Sequence, residues 1–204
     1  LRSAVRARRE RMGMKGGAAA YSPLHKAIHW IVAALILATI PIGLTMTRLP
    51  AGNLQNRLFD LHESIGSTIF ALACIRLAVR LVRSVPEAHP ALPRWQRIAA
   101  AATHRTLYVL VFALPLLGWL GSSAFGATVS VYGLFDLPRP IPENKPLSDI
   151  LFLLHLSGAY LLTALVALHI GAAILHVVAR DGVVQRMLPE NWTLRLSRPA
   201  RVRQ

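Results

Sequence analysis

The stretch that decides the fold is residues 150–178, ILFLLHLSGAYLLTALVALHIGAAILHVV, an apolar run interrupted mainly by histidines. A helix needs about 20 apolar residues to cross the roughly 30 Å hydrocarbon core of a bilayer, so this run is long enough to span it. Three similar apolar stretches precede it, at about residues 27–46, 59–82 and 98–124. The sequence therefore predicts an all-α integral membrane bundle of four helices, with both termini on one side.

The composition supports a membrane protein. Of the 204 residues 54% are hydrophobic, and the mean hydropathy is +0.46, which is too apolar for most soluble domains. The single cysteine, Cys74, lies within an apolar stretch. It can form no intramolecular disulfide and no Cys-x-x-Cys-His motif for covalent haem, so any haem must be held non-covalently.

The net charge of +14 could indicate a nucleic-acid-binding protein, but the positions of the basic residues argue against it. Lysines and arginines concentrate in the N-terminal tail, around the connection between the second and third helices (Arg76, Arg80, Arg83, Arg94, Arg97, Arg105) and in the C-terminal tail. The opposite side carries Arg48, Arg57, Arg139 and Lys145. Because short cytoplasmic loops hold the excess of basic residues, both termini are predicted to be cytoplasmic, with attraction to anionic lipid and no nucleic-acid partner.

The predicted organisation has three parts. Residues 1–20 form a disordered basic tail, residues 21–189 the four-helix domain and residues 190–204 a basic C-terminal tail. Ser22-Pro23 is typical of a helix start and Asp181-Gly182 of a helix stop. The segments 85–95 and 126–148 are proline-containing connections.

Six of the eight histidines fall within or beside the apolar stretches: His29, His62, His104, His155, His169 and His176. An ionisable side chain at membrane depth is costly unless it has a partner, so each is a functional candidate facing the bundle interior. His155 and His169 are 14 residues apart, which places them on nearly one helix face, about 21 Å apart along the axis. That separation suits two stacked sites.

Each of these two histidines has a candidate partner at its own depth. His62 pairs with His155 and His29 with His169, and two imidazoles from facing helices are what a six-coordinate haem iron requires. His176 is an alternative partner for His29, but it would separate the two irons by about 31 Å, so His169 is preferred. His104 is expected to hydrogen-bond a haem propionate or the backbone.

The histidines also have other interpretations. A single membrane histidine is more often a packing or proton-relay residue than a haem ligand, whereas four in two depth-matched pairs favour haem. Zinc sites usually combine closely spaced histidines with cysteine or carboxylate ligands, a pattern that these spans do not follow. A haem-free transporter with a histidine proton relay stays open. The sequence assigns no catalytic residue.

Five motifs resemble the bacterial cytochrome b561 family, and the resemblance covers most of the chain. They are YSPLHKAIHW at 21–30, LHESIG at 61–66, THRTLY at 103–108, ALPLLGW at 113–119 and DGVVQRMLP at 181–189. The resemblance implies a cytochrome of the bacterial inner membrane with two non-covalent b haems. It also implies that His29, His62, His155 and His169 are the axial ligands, which favours His169 over His176.

Members of this family resemble respiratory-chain electron carriers between membrane quinone and a second redox partner. One branch oxidises superoxide and passes the electron to ubiquinone, so an oxidoreductase is implied as one possibility. Arg48 and Arg57 are the nearest basic residues that could steer an anion to the outer haem, and they are equally suited to lipid phosphates. Glu63 departs from the lysine expected in the family after the ligand His62, which puts the partner in question.

Two functions follow as hypotheses. The first is transmembrane electron transfer between an external donor, such as superoxide or another redox protein, and the quinone pool. The second is a membrane-anchor cytochrome subunit of a larger dehydrogenase or hydrogenase complex, for which the same haem ligands would serve.

Overall fold

Four long helices make up most of the structure, a computed structural model that describes residues 21–82 and 92–188. Their bounds are α1 Pro23–Met46, α2 Asn53–Val82, α3 Arg94–Phe125 and α4 Lys145–Ala179. All four are long and apolar enough to cross a membrane. The predicted all-α membrane bundle is confirmed. The two tails and much of the connection at 85–95 lie outside the described residues.

Each helix begins several residues before its apolar stretch, and polar side chains cap the starts of α1 and α4. The Ser22 hydroxyl accepts a hydrogen bond from the His25 N–H at 3.4 Å, with Pro23 in the first turn of α1. The Asn144 side chain likewise accepts from the Leu147 N–H at 3.1 Å. At the other end of α4, Arg180 adopts a left-handed conformation with φ of 53°, which ends the helix just before Asp181.

The core is a strip of aliphatic side chains between the helices. α1 packs mainly against α2, and α3 mainly against α4. The buried residues that join the two pairs are Ile28, Val32, Ile36, Ile65, Ile69, Leu110, Leu114 and Leu162. Large apolar side chains on the outer faces, such as Leu168 and Leu175, are exposed and would contact lipid in a bilayer.

Small residues let α3 and α4 approach closely. A Cβ added to Gly121 would lie 2.8 Å from Cε1 of Phe152, and one added to Gly158 would lie 2.7 Å from Cδ2 of Leu114. Both distances are shorter than real Cβ contacts, so a larger residue at either position would require the neighbouring side chain or the helix to shift.

The two ends of the described chain meet at one end of the bundle, here named the terminal end. The Lys26 ammonium donates to the carbonyl of Leu188 at 2.8 Å, and the Trp30 indole N–H to that of Met187 at 3.0 Å. A 3₁₀ turn at Val184–Arg186 brings these carbonyls back to α1. The start of α1 and the end of α4 therefore lie side by side.

A short antiparallel hairpin marks the opposite end, here named the hairpin end. Ser130–Val131 pairs with Phe135–Asp136. Ser64 on α2 holds it, because its hydroxyl accepts from the Tyr132 N–H at 2.8 Å and lies 3.2 Å from the Ser130 carbonyl. The connection between α3 and α4 thus packs back onto α2 rather than extending into solvent.

Candidate functional site

At the hairpin end, histidines of α2 and α4 face each other. The ring centroids of His62 and His155 are 6.0 Å apart, and the ring planes meet at 71°. Both side chains are largely enclosed by the bundle. We name this pair, with the residues at its level, the hairpin layer.

Both imidazoles of the hairpin layer are oriented through Nδ1. In His155 this nitrogen lies 2.9 Å from the carbonyl oxygen of Leu114, and in His62 it lies 3.1 Å from Oγ1 of Thr39. A carbonyl oxygen only accepts, so His155 must carry its proton on Nδ1, which leaves Nε2 with a free lone pair. This is the arrangement that fixes a metal-binding histidine in its tautomer and orientation.

Two glycines create the space in which these imidazoles lie. A Cβ added to Gly43 on α1 would be 2.9 Å from Cε1 of His62, and one added to Gly118 on α3 would be 3.4 Å from Cε1 of His155. Each glycine lies one turn beyond the residue that contacts Nδ1 of the same imidazole, Thr39 or Leu114. α1 and α3 therefore build the two sides of the layer in the same way.

Three histidines meet near the terminal end, in what we name the terminal layer. His29 on α1 and His169 on α4 have ring centroids 6.4 Å apart, with an angle of 83° between planes. His104 on α3 lies closer to His169, at 5.3 Å and 72°. Sequence reasoning paired His29 with His169 but gave His104 no histidine neighbour.

The ring separations can be tested against haem geometry. Metal–imidazole bonds are about 2 Å long, so two imidazoles on opposite sides of one metal ion have ring centres roughly 6 Å apart. The His62–His155 distance of 6.0 Å and the His29–His169 distance of 6.4 Å fit this requirement, whereas the His104–His169 distance of 5.3 Å is too short. One turn after His62, a Cβ added to Gly66 would have no described atom within 4 Å, so there is open space one turn along α2 from this histidine. The donor set therefore fits two b-type haems.

A 14-residue spacing links the two layers in every helix. From the histidine positions alone, the spacing is apparent only in α4. The pairs are His29 with Gly43 on α1, His62 with Arg76 on α2, His104 with Gly118 on α3 and His155 with His169 on α4. Fourteen residues are nearly four turns, or about 21 Å, so each helix presents nearly the same face to both layers.

Arg76 is a functional candidate that sequence reasoning missed. It was counted with the connection between α2 and α3, but the structure places it on α2 at the terminal layer. Its charge acts on His29, His104 and His169. The 14-residue distance from His62 is the sequence signal that could have found it.

The remaining sequence candidates have separate surroundings. Nδ1 of His176 is 2.5 Å from a carboxylate oxygen of Asp181, beyond the end of α4. Arg48 is exposed, and its guanidinium donates to the carbonyl of Leu44 at 2.9 Å. Arg57 is also exposed, near the start of α2. Neither arginine lies within a layer.

Glu63, next to His62, faces α3. The hydroxyl of Ser122 donates to its Oε1 at 2.8 Å. The carboxylate therefore joins α2 to α3 beside the hairpin layer. A lysine at this position could not accept a hydrogen bond from Ser122.

A membrane bundle with facing imidazoles at two depths defines the class of membrane b-type cytochromes. The family described as prokaryotic cytochrome b561 matches residues 20–190 of this chain. The chain belongs to this family, whose members are multi-pass bacterial membrane electron-transfer proteins with b-type haem.

Individual relatives agree with the family. Cytochrome b561 homolog 2 of Escherichia coli (strain K12) is 31% identical over 170 residues, covering 82% of this chain and 90% of the relative. Cytochrome b561 homolog 1 of the same organism is 29% identical, with coverages of 79% and 93%. The probable superoxide oxidase CybB of Yersinia pestis is 28% identical, with coverages of 83% and 96%. The similarity thus extends over almost the whole length of each relative.

Proposed function

We propose that this protein carries electrons across the membrane by means of two non-covalent b haems, one in each layer. His62 and His155 would hold the haem of the hairpin layer, and His29 and His169 would hold that of the terminal layer. The observation that carries the proposal is the presence of two pairs of facing imidazoles, with ring centroids 6.0 Å and 6.4 Å apart.

Haem iron held in this way supplies reversible one-electron redox chemistry at two depths of the bundle. The residues of the chain bind and orient it. Thr39 and the Leu114 carbonyl direct Nε2 of the hairpin-layer histidines inward. The aliphatic strip between the layers, which includes Ile36, Ile65 and Leu114, excludes water from the path.

The orientation follows from the basic residues. Among the described residues, eight of the twelve lysines and arginines lie in the terminal half, which supports a cytoplasmic position for the terminal end at the inner membrane. The hairpin end then faces the outside. An external donor would reach the hairpin layer first.

Superoxide is the proposed external donor, and membrane quinone is the proposed acceptor. A superoxide oxidase is among the relatives. Two superoxide anions would each lose one electron to become O₂, and one quinone would gain two electrons and two protons to become quinol. Arg57, five residues before His62 and exposed, lies about 7.5 Å from it along α2, where a positive charge can steer an anion.

The first test is a reduced-minus-oxidised visible spectrum of detergent-purified protein, with a pyridine haemochrome assay of haem per chain. Two low-spin b haems are expected. His155→Ala should remove one haem and leave the other, whereas His176→Ala should retain both. Colourless protein, or equal loss of both haems from His155→Ala, would refute the assignment.

The second test is reduction of the purified protein by enzymatically generated superoxide, followed by quinone addition. Arg57→Gln should slow reduction by superoxide and weaken its dependence on ionic strength, because steering acts on the association rate. Reduction by quinol should be unaffected in the same variant. Failure of superoxide to reduce the wild-type protein would exclude this donor without affecting the haem assignment.

A further inference from the structure

Four polar groups at the terminal end are buried and have no hydrogen-bond partner among the described residues. One is Oε1 of Gln185, and the other three are Nε of Arg76, the hydroxyl of Tyr108 and Nε2 of His25. Only 3% of the His25 surface is exposed. A buried donor without an acceptor is costly, and such groups normally have a partner, so a cluster of them indicates a ligand.

The three groups belong to one cluster that spans three helices. The Arg76 guanidinium lies over the Tyr108 ring, 5.2 Å from its centroid, and that of Arg80 lies at 5.4 Å. The charges of both arginines act on His25. α1, α2 and α3 thus direct a histidine, two guanidinium groups and a phenol toward the same region.

The cluster has no described counter-ion. Among the described residues, Asp60, Glu63, Asp136, Glu143 and Asp149 lie in the hairpin half of the molecule. Asp181, at the terminal end, hydrogen-bonds His176. Arg76 is partly buried and Arg80 is exposed. A partly buried guanidinium group without a carboxylate partner favours binding of an anion.

We propose that Arg76, Tyr108 and His25 form a carboxylate-binding site that anchors the propionate groups of the terminal-layer haem, with Arg80 supplying a second positive charge. The inference rests on the proposed haem in that layer. Guanidinium groups bind carboxylates through paired, charge-assisted hydrogen bonds, which a phenol and an imidazole N–H can supplement. The two negative charges of the propionates also match the two positive charges of Arg76 and Arg80.

The position of Arg76 favours this occupant over the phosphate of a lipid headgroup, which has the same chemistry. Arg76 lies 14 residues after His62, at the level of the terminal layer, and its charge acts on His29 and His169. A group bound by Arg76 therefore adjoins the proposed iron ligands inside the bundle. A lipid phosphate would approach from the outer surface.

The test compares full-length Arg76→Gln and Tyr108→Phe with wild type. Arg97→Gln is the matched control, because Arg97 is an exposed arginine near the same end on α3. Haem per chain and the midpoint potential of each haem are measured by haemochrome assay and redox titration. The hairpin-layer haem serves as an internal control for folding.

Arg76→Gln should weaken binding of the terminal-layer haem by roughly tenfold to a hundredfold, seen as a fall from two haems toward one. Tyr108→Phe should keep both haems with a smaller loss of terminal-layer affinity. The haem that remains in the terminal layer of Arg76→Gln should have a lower midpoint potential, because a nearby positive charge has been removed. Arg97→Gln should match wild type.

Nanodiscs of neutral phosphatidylcholine and of anionic phosphatidylglycerol distinguish the two sources of anion. If Arg76→Gln alters only the response to anionic lipid and leaves haem content and potentials unchanged, the site binds lipid phosphate and the proposal is wrong. Equal loss of both haems from Arg76→Gln with wild-type behaviour of Tyr108→Phe would show a structural role, and would also overturn it. Wild-type protein without haem would instead refute the proposed function itself.

Discussion

Replacing Gly43 with alanine tests how closely α1 must approach His62. The added Cβ would lie 2.9 Å from Cε1 and 3.2 Å from Nδ1 of the imidazole, whereas ordinary contacts begin at 3.4 Å. The ring must therefore move by about 0.5 Å, or α1 must shift by as much. Either movement also disturbs the 3.1 Å contact between Nδ1 and Thr39.

The effect on folding should be small because two contributions oppose each other. Alanine stabilises a helix interior by about 1 kcal/mol relative to glycine, while an overpacked core costs about 1–3 kcal/mol. The net destabilisation should thus be at most about 2 kcal/mol. Metal ligands, however, tolerate displacements of only about 0.5 Å. Gly43→Ala should therefore lose or loosen the hairpin-layer haem while the bundle stays folded.

Gly171→Ala is the matched control, because a Cβ there would meet no described atom within 4 Å. It should add about 1 kcal/mol of stability and leave both haems in place. Haem per chain, the low-spin visible bands and thermal unfolding in detergent measure both variants. If Gly43→Ala retains both haems with wild-type spectra, the close approach of α1 is not needed for ligation, and this reasoning is refuted.

Three further predictions concern neighbouring contacts. Thr39→Val should keep both haems but raise the hairpin-layer midpoint potential in a redox titration, because the His62 ligand loses an acceptor that makes it more electron-donating; an unchanged potential would count against that role. His29→Ala should lose the terminal-layer haem whereas His104→Ala should retain it, since the His104 ring is too close to His169; the opposite pattern of haem content would exchange their roles. Ser64→Ala should release the hairpin at a cost of about 1–2 kcal/mol, seen as faster proteolysis of residues 126–144, and equal cleavage rates would contradict it.

The sequence predicts the number of helices and the depth of each histidine, because both depend on distance along a single helix. Apolar runs define the spans, and 1.5 Å per residue converts the distance between His155 and His169 into depth. Distance along one helix does not determine how that helix is rotated relative to its neighbours. The contact of Thr39 with His62, that of the Leu114 carbonyl with His155 and the position of His104 beside His169 depend on helix packing. Spacing within one helix does not determine that packing.

The hairpin and Arg76 were missed for other reasons. Strands of two residues, Ser130–Val131 and Phe135–Asp136, are too short to show the alternating pattern of a strand. Arg76 lies near the end of an apolar stretch, where basic residues usually indicate topology. Its position at the terminal layer becomes apparent only when α2 and α4 are compared at the depth of each layer.

The shared 14-residue spacing also determines where the chain can change length. One residue inserted into α4 between His155 and His169 would turn everything beyond it by about 100° and shift it by about 1.5 Å, carrying His169 away from His29. The same holds for the corresponding segment of each other helix. Insertions and deletions should therefore be tolerated in the connections and tails, where a change in length does not alter the 14-residue spacing between the layers.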